Sequence, residues 1–256
     1  MRNFLVFLWS YMLTTPLVFA SVVLTNTRVI YPADSKEHTI QFTNTDQFPN
    51  IVQLWIDTGD AQSTPETADG PFVVLPPVFK VNADSGQSVR IIYTGQQLPQ
   101  DRESVFYLNF LVIPPKMDKA QEQNQLLIVL RNRVKLFYRP TTIDGSASKS
   151  IAKMSATLTY TKNGDPETVT LLNQSGYFIS LSNLHLDFGA TRYNFGPVMI
   201  APYDELSINH YLRKESMSGN LASQNSGAVL RYAYVNDYGA HIVGSFTVNY
   251  PYEKQL

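Results

Sequence analysis

Short segments of alternating apolar and polar residues, each closed by Gly, Pro, Asn or Asp, follow one another along nearly the whole chain. In 38–44 the apolar Ile40 and Phe42 share one face, and in 87–93 Val89, Ile91 and Tyr93 alternate with Ser88, Arg90 and Ile92. The segments 51–56, 72–75, 104–113, 154–160, 168–172, 177–181, 229–235 and 244–250 read the same way. Turn residues separate them, as in Asn163-Gly164-Asp165-Pro166, the stretch 173–176 and Asn236-Asp237-Tyr238-Gly239. A period of two residues suits a sheet, and no helical period is sustained anywhere. Many short strands at regular spacing predict an all-β chain built of sandwiches. Only 116–124 has room for a helical turn, and it reads as a loop. The polar stretch PTTIDGSASKS, 140–150, marks a linker. The two domains it separates have about 120 residues each, the size of an immunoglobulin-like sandwich.

The start of the chain has a different character. Arg2 is the only charge before Arg28, an apolar stretch covers 4–13, and Leu17-Val18-Phe19-Ala20 precedes Ser21. A basic start, an apolar middle and a small residue closing a Val-x-Ala pattern predict a secretory signal cleaved after Ala20. Ser10, Tyr11, Thr14, Thr15 and Pro16 make 4–20 too short and too polar for a spanning helix, which needs about 20 apolar residues. The whole chain of 256 residues carries 20 basic and 21 acidic residues; loss of Arg2 with the leader leaves 19 against 21, a net charge of −2. That balance creates no long-range field to recruit nucleic acid or anionic membrane. With no cysteine, an exported chain is held by its core alone, and thiol nucleophiles and thiolate metal sites are excluded.

One segment departs from simple alternation. In NQLLIVLRNRVKLFYRP, 124–140, five apolar residues from 126 to 130 run together, and Arg131, Arg133, Lys135 and Arg139 follow before Pro140. Two explanations fit. A central strand buried on both sides is apolar throughout. An edge strand left without charge or proline is open to pairing with another chain.

The residues offer little to catalysis. His38, His185, His210 and His241 are scattered, and no nucleophile elbow, phosphate-binding loop or dinucleotide fingerprint is present. The acidic pairs Asp101/Glu103 and Asp204/Glu205 fall beside turns and read as solvated loops. No enzyme, metal or cofactor is expected. Two cations stand out because each is embedded in an apolar strand: Arg28 in Thr25-Asn-Thr-Arg-Val-Ile30, and Lys135 between Val134 and Leu136. A single such cation is ordinarily a snorkelling surface side chain. Two that converge in a cleft would bind a carboxylate, because a buried cation without its anion is costly.

The chain resembles the PapD-like periplasmic pilus chaperones. The resemblance rests on Thr27-Arg28-Val29-Ile30-Tyr31, Leu75-Pro76-Pro77, and the block from Leu98 to Ser104 that leads into Phe106-Tyr-Leu-Asn109. It continues through Ile113-Pro-Pro115 and Val134-Lys-Leu-Phe-Tyr-Arg-Pro140 to Asn236-Asp-Tyr-Gly239. It covers the chain from Ser21 onward and is weaker in the second half, with its polar stretch 214–226. The resemblance implies two immunoglobulin-like β-sandwich domains in a boomerang arrangement, 21–141 and 142–256, located in the periplasm. It further implies donor-strand complementation, in which a strand called G1 fills the groove of an incomplete pilus subunit. Leu126, Ile128 and Leu130 would be its groove-filling side chains. Arg28 and Lys135 would hold the subunit's terminal carboxylate and so fix the register, since a slip of one residue would present Leu127 and Val129 instead. Glu103, Arg139 and Asp237 would make charge contacts between the domains, exposed and worth less than about 1 kcal/mol each. The partners implied are fimbrial subunits and an outer-membrane usher, with no nucleotide or nucleic acid. Self-association of the unloaded protein through the same strand stays open. The short loop before G1 resembles that of chaperones serving rod-type fimbriae.

Parity sets a condition on this reading. Lys135 is odd and the groove residues are even, so in a regular strand they face opposite ways. A bulge or strong twist near Asn132 is expected to reconcile them. The rival is a structural fimbrial subunit or an adhesin of sandwich modules, although such a subunit is usually one incomplete, disulfide-bonded domain.

Overall fold

The computed structural model describes residues 22–116, 129–209, 214–216 and 228–248. The leader, most of the 116–124 loop, Leu126, Ile128 and His210 lie outside the described residues. The first unit contains β1 (Val22–Leu24), β2 (Arg28–Pro32), β3 (His38–Asn44), β4 (Asn50–Asp57), β5 (Phe72–Leu75), β6 (Val78–Val81), β7 (Gly86–Tyr93), β8 (Ser104–Ile113) and β9 (Leu130–Arg139). They form two sheets, ordered β1-β3-β7-β5 and β2-β9-β8-β4-β6. All pairings are antiparallel except β2 with β9, which is parallel.

Alternation builds the core of this sandwich. In β3, Ile40 and Phe42 are buried while Thr39, Gln41 and Thr43 are exposed. In β8, Phe106, Leu108, Phe110 and Val112 all point inward. Phe42 meets Phe110 edge-on with ring centroids 5.2 Å apart, and Phe72 meets Phe106 at 5.1 Å, which locks the two sheets face to face.

The second unit contains β10 (Met154–Tyr160), β11 (Pro166–Asn173), β12 (Ile179–Phe188), β13 (Thr191–Ile200), β14 (Glu205–Asn209), β15 (Lys214–Ser216), β16 (Ala228–Val235) and β17 (His241–Val248). Its sheets run β10-β11-β14 and β15-β13-β12-β16-β17, with Leu158, Leu171, Ile179, Leu184, Leu186, Tyr193 and Leu230 between them. The fold is therefore an all-β pair of sandwiches.

The segment 140–150 is more than a polar tether. A 3₁₀ helix occupies Ala147–Lys153, and Ile143, Ala147 and Tyr177 form a small buried cluster. Tyr177 Oη donates to the Gly145 carbonyl at 3.2 Å and Tyr234 Oη to that of Ala147 at 2.9 Å, so the second sandwich grips the connection.

Candidate functional site

β9 is a central strand for half its length and an edge for the other half. Its pairing with β8 runs from Ser104↔Tyr138 to Val112↔Leu130. On its other side β2 covers only Lys135 to Arg139. Among the described residues, no strand pairs with the far side of β9 from Leu130 to Val134. Val129 and Leu130 are 39% and 54% exposed. Of the apolar run only Val129 and Leu130 are described, and they lie on the edge side; the half paired on both sides, 135–139, falls beyond the run. The bare half retains the backbone groups that would pair with an added strand.

The pairing with β8 continues through Asn132 without a register shift, so the expected bulge is absent. Even-numbered residues face the core: Leu136 and Tyr138 are buried in it, and Val134 packs against it. Odd-numbered ones, Arg131, Arg133, Lys135, Phe137 and Arg139, face the other way. Regular pairing to β8 leaves no spare residue to turn Lys135 onto the face of Leu130.

The parallel pairing of β2 removes the conflict in another way. Arg28, the first residue of β2, is the register partner of Lys135. A strand laid along the bare half of β9 would be collinear with β2 and would end where Arg28 begins. Its terminal group would meet the two cations end-on, with no need to share a face with Leu130. A carboxylate at that end makes the added strand parallel to β9.

The electrostatics suit such a terminus. Neither Arg28 nor Lys135 has an acidic ion-pair partner among the described residues. Arg28 Nη1 donates to the Val235 carbonyl at 3.0 Å, its guanidinium lies 5.8 Å from the Phe137 ring centroid, and its Nε is buried without a partner. Burial lowers the Arg28 pKa, with the fields of Tyr234, Asp237 and Glu103 opposing. Burial also lowers that of Lys135, and the adjacent Arg28 charge lowers it further. Two half-buried cations side by side are relieved by an anion.

Beyond this pair, the odd face of β9 fastens the two sandwiches together. Phe137 meets Phe178 at 5.6 Å. Arg139 Nε donates to Glu103 Oε1 at 2.6 Å, and its Nη1 and Nη2 donate to Asp237 at 2.7 and 2.9 Å. The Phe178 N–H donates to Glu103 Oε2 at 2.8 Å. Glu103 is only 3% exposed, which corrects the expectation of weak, exposed contacts. Burial pushes the Glu103 carboxyl up against the pull of Arg139. Burial opposes the Arg139 charge too, but the Asp237 hydrogen bonds and the field of Glu103 outweigh it and hold the guanidinium firmly protonated. Removing one member of such a cluster leaves a buried charge, at a cost of about 3–5 kcal/mol.

The turn expected at Asn236 forms, its Oδ1 accepting the N–H groups of Tyr238 and Ala240, and it sets Gly239 (φ +81°) against Thr27, next to Arg28. Sequence reasoning missed Asp57, fully buried and bonded to Arg133 at 2.6 Å. Its partners are scattered along the sequence, so no local pattern signals them.

Comparisons with known proteins match both halves of the chain. Residues 21–144 match the family described as pili and flagellar-assembly chaperone, PapD N-terminal domain, and 152–246 match the pili assembly chaperone PapD, C-terminal domain. A probable fimbrial chaperone, YadV of Escherichia coli (strain K12), is 35% identical over 229 residues, covering 88% of this chain and 89% of its own. The chaperone protein HifB of Haemophilus influenzae is 37% identical over 226 residues, covering 86% and 85%. The crystal structure of the YadV chaperone superposes with a TM-score of 0.70 at 30% identity, covering 90% of this chain and all of that one. Matches to both halves do not favour the fimbrial-subunit alternative. A strand whose bare half stops beside two cations, neither ion-paired to an acid among the described residues, is thus set in a chain that belongs to the PapD family of non-enzymatic pilus-assembly chaperones.

Proposed function

We propose that β9 is lent to an incomplete pilus subunit in the periplasm, as its missing strand. Leu126, Ile128 and Leu130 fill the subunit's apolar groove, and Arg28 and Lys135 hold its terminal carboxylate. The anchor fixes the register, because a strand bound by its end cannot slip by one residue. Glu103, Arg139 and Asp237 keep the second sandwich at the angle that leaves this cleft open. The loaded subunit passes to an outer-membrane usher, where another subunit's strand replaces β9 without nucleotide. The working protein is the exported chain cut after Ala20, with domains 21–141 and 142–256.

The observation that carries this reading is the end of β2 at Arg28, directly beside Lys135, where the bare half of β9 meets the paired half. Co-expression with a fimbrial subunit tests it. Arg28→Ala and Lys135→Ala are each expected to abolish recovery of the periplasmic complex while the chaperone stays folded. Wild-type recovery with both would refute the anchor.

A further inference from the structure

Among the described residues the bare half of β9 has one neighbouring strand, and Leu130 and Asn132 on its core-side face are exposed. A segment so placed frays readily, since little apolar surface and few backbone bonds hold it. Among the described residues its other fastenings are Val134, packed against the core, and the odd-numbered side chains Arg131 and Arg133, which both converge on one carboxylate.

Asp57 ends β4 and is fully buried. Its Oδ1 accepts from Arg133 Nη2 at 2.6 Å and from the Gly59 N–H at 2.8 Å. Its Oδ2 accepts from Asn109 Nδ2 at 2.6 Å and from Ser63 Oγ at 2.8 Å. Asn109 then turns its Oδ1 to Arg131, which donates Nη2 at 2.8 Å and Nε at 3.2 Å. Each guanidinium also covers a ring: Arg133 lies 3.7 Å from the Tyr107 centroid and Arg131 4.9 Å from that of Trp55. The Trp55 indole N–H donates to Ser63 Oγ at 3.1 Å, which closes the network through the loop after β4. That loop is itself tied, Thr58 donating its N–H and hydroxyl to Asp69 at 2.9 and 2.6 Å. Burial alone would raise the Asp57 pKa, but its hydrogen bonds, that of Arg133 foremost, bring it below the usual carboxylate range.

We propose that Asp57 is a positioning residue for subunit capture: through Arg133 directly and through Asn109 and Arg131, it holds the bare half of β9 as a strand before any subunit arrives. This rests on the reading of β9 as the lent strand. The clamp acts from the rear, so the edge and Leu130 stay free for the subunit. Holding the strand in its bound conformation removes an ordering cost from association.

The test uses the full mature chaperone and a urea-unfolded fimbrial subunit as probe. Asp57→Asn keeps the shape of the side chain and removes its charge. It is expected to raise amide exchange across 130–134 by about 10-fold or more, with β3 and β7 unchanged. Subunit capture is expected to slow by about 10-fold, and Asp57→Glu to recover part of both losses. Should Asp57→Asn fail to fold, Ser63→Ala loosens the same network without stranding a charge, and carries the same readouts. Wild-type exchange and capture in the folded variant would overturn the proposal, as would an equal rise in exchange throughout the sandwich, which marks a merely structural role. Lys135→Ala separates the two readings: it should lose capture while 130–134 stays protected. If Lys135→Ala and Leu130→Asp both capture the subunit like wild type, the lent-strand reading falls and this proposal with it.

Discussion

Arg28 and Lys135 are neighbours across a parallel pairing, and among the described residues neither has an acidic ion-pair partner. Their suspicious setting was legible, because each interrupts an apolar strand. Their adjacency was not, since parity along one strand says nothing about where a second strand ends beside it. The Lys135 pKa is lowered in the free fold, so between that value and the usual lysine value of about 10.4 the unfolded chain binds more protons. Stability of the free protein should therefore rise with pH through this window, a rise that Lys135→Met abolishes; urea titrations at successive pH values measure it. Affinity for a carboxylate-ended strand should fall as pH rises through the same window. It should also fall as acid protonates the ligand near pH ~3.5. Arg139 makes a different prediction. Arg139→Ala should cost about 3–5 kcal/mol in urea unfolding, because it leaves Glu103 buried and uncompensated.

At the scale of elements, β5, β8 and β10 occupy the segments expected of them, since regular alternation reports burial directly. β12 runs well past the expected 177–181, and β13 carries no expectation at all. Both are explained by irregularity: register shifts between Leu181 and His185 break the period, and Gly196 (φ +73°) with Pro197 interrupts the facing strand. The packing of the linker was not legible, because Ile143, alone in a polar stretch, finds its partner Tyr177 only in the fold. β9 was read as two alternatives because its neighbours change midway. Leu130→Asp should leave the free chaperone folded, as the side chain is mostly exposed, yet weaken subunit binding by about 2 kcal/mol or more when the charge enters an apolar groove. Calorimetry on a purified complex reads both.

For the molecule as a whole, the two sandwiches are joined by continuous contacts from the 140–150 connection to the anchor. The Glu103 N–H donates to the Gly176 carbonyl at 2.9 Å, Thr142 Oγ1 to that of Gln100, and Arg28 to that of Val235. One end of this seam is Gly239, where a Cβ would collide with the Thr27 hydroxyl in a backbone region that favours glycine. Gly239→Ala should cost about 1–3 kcal/mol of stability and displace Arg28, lowering subunit affinity along with it. Thermal unfolding and binding measured on one preparation would show the two effects together. The central claim is that the site grips the end of a strand. Isothermal titration of the chaperone with a peptide copying a pilus subunit's last strand, with its terminus free or amidated, tests this most directly. The free acid should bind wild type, and amidation should reduce binding to the level of Lys135→Ala. Equal affinity for both peptides would contradict the account.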